Sequence, residues 1–159
     1  MPILFRAGLA VLFVLCGATA SAQSSPALST LERAATPAAQ ISWRLLSGMN
    51  YRTGLVSDTL KALDGKRVRI AAFIVPLEDN MQQADQFLLV PYFGACVHTP
   101  PPPPNQMVYV KMPPRKTMRI GWWEPVFFEG ILRVKTVQSP FGVVAFEMEG
   151  IASTPYKAS

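Results

Sequence analysis

Lys66-Arg67-Val68-Arg69-Ile70-Ala71-Ala72-Phe73-Ile74-Val75-Pro76 is the stretch that decides the fold. Its early alternation and β-branched content read as a strand, stopped where Pro76 removes a backbone donor. Downstream, Gln86-Phe87-Leu88-Leu89-Val90-Pro91-Tyr92 is an almost unbroken apolar run, the pattern of a second strand buried on both faces for much of its length. Met107 to Met112 resumes alternation as a third strand. Val126 to Val137 reads as a fourth, with Gly130 placed for a bend or bulge. After the turn Ser139-Pro140-Phe141-Gly142, residues 143–151 alternate as the fifth. Between these lie an acidic loop at 77–85 and a basic one at 113–123 that carries Arg115, Lys116 and Arg119. Short strands at this spacing predict a mainly β protein, a small five-stranded antiparallel barrel of the oligonucleotide/oligosaccharide-binding type.

Helical signals are confined to the front. Thr36-Pro37 resembles a cap with proline at the first helical position, and Ile41, Leu45 and Leu46 share a stripe, so a helix is expected over 38–47. Ser57 is placed to cap one further turn running to Leu63, and Asp64-Gly65 makes a tight turn into the first strand. Trp43 and Tyr51 read as packing residues.

The N-terminus reads as an address. Arg6, an apolar run from Ala7 to Gly17 and the ending Ala20-Ser21-Ala22 match a secretory signal cut after residue 22. The run is shorter than the ~20 residues of a comfortable membrane span. Residues 23–37, rich in Ser, Ala, Thr and Pro, read as a flexible tether, and 38–159 as a single barrel-like domain. The expected location is the periplasm. The chain's net charge of +5 suits an anionic membrane surface or an acidic partner, and is too diffuse for nucleic acid.

Loss of the signal removes Cys16, one of two cysteines, and leaves Cys96 without an intrachain partner. An unpaired thiol in an oxidising compartment is buried, metal-bound, reactive or paired between chains. Cys96 lies in Gly94-Ala95-Cys96-Val97-His98-Thr99, two positions from His98, the chain's one histidine, and five prolines follow at 100–104. In extended backbone, residues two apart share a face, which sets a soft sulfur beside an imidazole. Those donors suit zinc or copper(I). A third donor would come from Met107, Glu78, Asp79, Glu147, solvent or the partner in a homodimer.

A Cys96 nucleophile with His98 as base and Asn105 as orienting group has the right residue types. Neighbours on one strand, however, rarely reach in-line geometry, and no Gly-x-Ser-x-Gly signal is present, so an enzyme is not the favoured reading. The plainest alternative is structural: Cys96 as a small buried side chain, with Asn105 and Gln106 pinning the loop. Five prolines in polyproline II would span on the order of 15 Å as a rod, either a docking ligand or a stiff lid. Gly121-Trp122-Trp123-Glu124-Pro125 is a further candidate patch for a partner or lipid.

Leu63-Asp64-Gly65-Lys66, Phe73 to Leu77, Phe87 to Pro91 and the string Gly94 to Pro101, ending at Asn105-Gln106, resemble the exported bacterial family catalogued as domain of unknown function 3299. The resemblance covers roughly residues 40–152, with Ala72 standing where glycine is expected. It implies a periplasmic accessory protein, in a family some of whose members accompany metal-linked transport systems, zinc above all, and it carries over no catalytic residue.

The expectation is therefore an exported, non-enzymatic accessory protein that binds zinc or copper(I) through Cys96 and His98, with Met107 as third ligand. The competing expectation is an adaptor that docks on a membrane transport complex or another periplasmic partner through its proline-rich loop.

Overall fold

The computed structural model describes residues 37–78, 82–95, 100–121 and 124–157. The signal, nearly all of the tether, Asp79, Cys96, His98 and the tandem tryptophans lie outside the described residues.

Five strands build the body: β1 (Arg67–Pro76), β2 (Gln86–Val90), β3 (Val108–Lys111), β4 (Val126–Arg133) and β5 (Phe146–Pro155). Their order is β1-β2-β3-β5-β4, and β4 pairs back onto β1 to close the barrel. Closure depends on the two ten-residue strands. β1 pairs with β4 through residues 67–72 and with β2 through 73–76. β5 likewise pairs with β3 through its first four residues and with β4 along most of its length. A long, twisted strand shared between two neighbours is what curls a sheet onto itself.

The barrel is mixed, not antiparallel throughout, because β3 and β5 run parallel from Phe146↔Val108 to Glu149↔Lys111. The reason is parity. Strand direction cannot alternate all the way round a closed ring of five, so at least one pair must be parallel. A parallel pair needs a long crossover, and β4 lies between the two in sequence.

Alternation along β1 points Val68, Ile70, Ala72 and Ile74 inward. They meet Phe87 and Leu89 of β2, Val108 and Val110 of β3, Phe128 and Leu132 of β4, and Phe146 and Met148 of β5. Phe87 and Phe128 pack edge to face with centroids 5.5 Å apart. Each such fully buried side chain contributes about 1.5–3 kcal/mol relative to exposure. Outside, Arg67 pairs with Glu129 at 2.8 Å, and the Arg69 guanidinium lies over the Phe127 ring at 4.0 Å.

Several local expectations shift. The front helix, expected over 38–47, is only α1 (Trp43–Leu46), capped by Ser42, whose hydroxyl accepts from Leu45 N at 3.3 Å. Before it, Ala39–Gln40 adds in parallel to the edge of β1, and Ile41 N bonds Arg69 O at 2.9 Å. That long-range ladder takes residues the local stripe would have placed in a helix.

The fourth strand, expected to reach Val137, ends at Arg133, with Val134 N held by Asp64 Oδ1 at 2.9 Å. Val137–Ser139 and Gly142–Val144 then form a hairpin of their own, so the fifth strand begins at Phe146. The second strand stops at Val90.

Other signals held. Ser57 caps α2 (Asp58–Lys61), and Gly65 takes the positive φ, 71°, that its turn needs. Among the described residues no helix is long and apolar enough to cross a membrane.

Candidate functional site

The β2–β3 connection, residues 91–107, carries the Cys-x-His motif, and the outer face of the barrel forms its floor. Because β2 is apolar on both faces, Leu88 and Val90 point away from the interior and need cover. They obtain it in a second apolar cluster with Ala95, Met107, Tyr109 and Val144, flanked by Phe73, Val75, Val137 and Phe141. The hairpin after β4 thus lies over the outer face of β2 and β3.

The loop leaves β2 through Pro91, and Tyr92 and Phe93 follow at 50% and 51% exposure. Phe93 meets Phe73 edge to face at 6.1 Å. Gly94 then turns the chain with φ of 78°, a conformation costly for a side-chain-bearing residue, and Ala95 drops into the cluster. Beyond the motif, Pro100, Pro101 and Pro103 are exposed and Pro102 is buried. Pro103, at φ −62° and ψ 155°, has polyproline II geometry and leads into a 3₁₀ turn at Pro104–Gln106.

The far end of the loop is tied down by side chains. Asn105 Nδ2 donates to Met49 O at 2.9 Å and Ser47 O at 3.5 Å, and Gln106 Nε2 donates to Trp43 O at 3.1 Å. Pro104 O accepts from Ala145 N at 2.9 Å. Trp43 Nε1 in turn donates to Ala71 O at 2.7 Å, which fastens α1 to the barrel. Asn105 and Gln106 therefore pin the loop through their side-chain amide nitrogens.

Of the donors named from sequence, Cys96 and His98 lie outside the described residues. Met107 is 6% exposed and packs in the same cluster as Ala95, so both flanks of the motif root in one patch. Glu78 is exposed just beyond β1. Glu147 is already engaged: Lys111 Nζ sits 2.7 Å from Oε1 and Lys135 Nζ 2.5 Å from Oε2. The Lys111 hydrogen bond, seconded by Lys135, holds the Glu147 carboxyl below the usual carboxylate range. The same bond to Glu147 raises Lys111 above the ordinary lysine value. Among the described residues no group of three or more His, Cys, Asp or Glu is placed to hold a metal.

Sequence reasoning missed two parts of this assembly. One is the hairpin cover, for which the Ser139-Pro140-Phe141-Gly142 turn was a signal. The other is the set of carbonyls that receive Asn105 and Gln106, for which there was none.

Residues 32–154 match the family model described as protein of unknown function DUF3299. The chain belongs to the DUF3299 family. A crystal structure of a DUF3299 family protein from Pseudomonas aeruginosa is similar over 78% of this chain and 99% of its own length, with a TM-score of 0.62 and 29% identity. No curated protein matches the chain significantly.

Proposed function

We propose that this DUF3299 protein is an exported periplasmic accessory protein that binds a soft or borderline metal ion, zinc first and copper(I) second. In this reading Gly94-Ala95-Cys96-Val97-His98-Thr99-Pro100-Pro101 is the family's signature. Cys96 binds as thiolate and His98 as neutral imidazole. The donor chemistry fits: a thiolate, an imidazole and the thioether of Met107 suit these ions, whereas carboxylate sets suit magnesium or calcium. So few protein donors make an open, exchangeable site, as a carrier that hands its ion to a transport complex requires.

The observation that carries this reading is the anchoring of the loop on both sides. Ala95 and Met107 share one apolar cluster, and Asn105 and Gln106 clamp the end of the proline run. A loop restrained before the ion arrives loses less ordering entropy on binding. Equilibration with zinc, followed by metal analysis of the full chain and a Cys96→Ser/His98→Ala variant, tests it. Stoichiometric zinc in the first and none in the folded variant is the expected result.

One observation favours a second reading. Tyr92 and Phe93 remain half exposed in the same β2–β3 connection as the proline run, and a connection that carries both exposed aromatics and a polyproline segment suits an adaptor that docks on a periplasmic or membrane partner. On that reading Tyr92→Ser/Phe93→Ser abolishes partner capture, while Cys96→Ser/His98→Ala leaves it intact.

A further inference from the structure

On the outer wall of the barrel a small residue stands beside a large one: Ala71 of β1 is the register partner of Phe127 of β4. The difference in size leaves room over Ala71. Two aromatic residues distant in sequence, Trp43 of α1 and Tyr156 just past β5, complete a groove there of about 340 Å³. That volume lies in the range that takes a small molecule of one or two rings.

All three rings are held before anything binds. Trp43 Nε1 donates to Ala71 O at 2.7 Å. Phe127 carries the Arg69 guanidinium over its ring at 4.0 Å and meets the Tyr156 ring with centroids 4.9 Å apart. Tyr156 N donates to Pro125 O at 3.0 Å, yet the residue stays 41% exposed. Walls fixed in advance spare a ligand much of the ordering cost of binding.

The charge of the groove is one-sided. Lys157 lines it and, among the described residues, no carboxylate does. Lys157 also forms no ion pair with any described residue. Glu129, two places along β4 from Phe127, is held by Arg67 at 2.8 Å. A larger groove nearby offers no such bias, because Arg119 and Glu124 both line it. Aromatic walls favour a flat apolar ring, and an unmatched ammonium favours a negative end. We propose that this groove binds a small aromatic carboxylate, with its ring against Phe127 and Tyr156 and its carboxylate toward Lys157. The proposal is independent of the metal-binding reading, since none of these residues belongs to the β2–β3 connection.

Equilibrium dialysis of the full chain against 2-naphthoate tests it, beside two probes of similar shape, the neutral 2-naphthamide and the cationic 2-naphthylmethylammonium. At low salt 2-naphthoate should bind about threefold more tightly than the amide, as an exposed ion pair allows, and the ammonium should bind least. The preference should fade at about 1 M salt, where charges are screened within ~3 Å. Lys157→Gln should bring naphthoate and naphthamide level. Tyr156→Ala should weaken naphthoate about tenfold through lost ring contact, and Ala71→Leu, which fills the floor, should do the same. Thermal unfolding shows whether each variant is folded, and Ala71→Leu decides alone should Tyr156→Ala not fold.

Equal binding of the three probes, or a preference that survives Lys157→Gln, would overturn the proposal. So would unchanged naphthoate binding in a folded Tyr156→Ala or Ala71→Leu chain, or no binding at millimolar probe.

Discussion

Gly130 and Gly150 face each other across β4 and β5 as register partners, each leaving space that a neighbouring side chain fills. A Cβ on Gly130 would sit 2.5 Å from Glu149 O, and one on Gly150 would sit 2.3 Å from Met112 Sδ. The ladder shifts register just beyond, between Gly150 and Ala152. Glycine here is a condition of closing the barrel, because it lets the two backbones and two methionines occupy one small volume.

The first prediction follows from what each Cβ would strike. Gly130→Ala meets backbone, which cannot step aside, and should cost at the upper end of the ~1–3 kcal/mol typical of overpacking. Gly150→Ala first meets the end of a flexible side chain and should cost less. In a Met112→Ala background the Gly150→Ala penalty should shrink, while the Gly130→Ala penalty stays. Urea unfolding of the three single variants, the two double variants and the parent chain measures both couplings.

Glu147 gives a pH dependence with a definite sign. Its folded pKa is depressed by Lys111 and then Lys135, so its contribution is present above the ordinary carboxylate pKa and is lost as pH falls through the folded value. Lys111 is raised, so its share is present below the ordinary lysine pKa and is lost as pH climbs through the folded value. Both lysines are about half exposed, and screening limits each pair to about 0.2–1 kcal/mol. Glu147→Gln should therefore flatten the acid limb of stability against pH by that modest amount and leave cooperativity intact.

Ser139 is 3% exposed and polar, and its hydroxyl donates to Gly142 O at 2.8 Å while accepting from Phe141 N at 3.2 Å. Ser139→Ala leaves two backbone groups of the hairpin without that partner and should cost about 1–3 kcal/mol. Because the hairpin covers the outer face of β2 and β3, the variant should also expose Leu88 and Val90. Faster amide exchange in β2, in excess of the global loss of stability, is the measurement that checks this.

Much of the barrel was legible because strand periodicity is local. Val68, Ile70, Ala72 and Ile74 announce one buried face, and Phe87 to Val90 announce two. What local pattern cannot carry is partner and direction. That some pair must be parallel follows from closing an odd ring, and no residue in either strand announces that the pair is β3 with β5. Ala39 and Gln40 became an edge strand because Arg69, nearly thirty residues on, offered a carbonyl to Ile41.

The site divides in the same way. That Asn105 and Gln106 pin the loop could be read from their chemistry beside a proline run. That they pin it to Met49, Ser47 and Trp43, from 56 to 63 residues away, could not.

The central claim is that an anchored loop presents Cys96 and His98 to a metal ion. The most direct test is the zinc stoichiometry and affinity of the full chain bearing Cys16→Ser, beside the same chain with Cys96→Ser and His98→Ala, with both shown to unfold cooperatively. The account predicts one zinc per chain, or one per pair of chains if a dimer shares the site, and loss of that zinc in the variant. Equal binding by both proteins, or binding by neither, would contradict it.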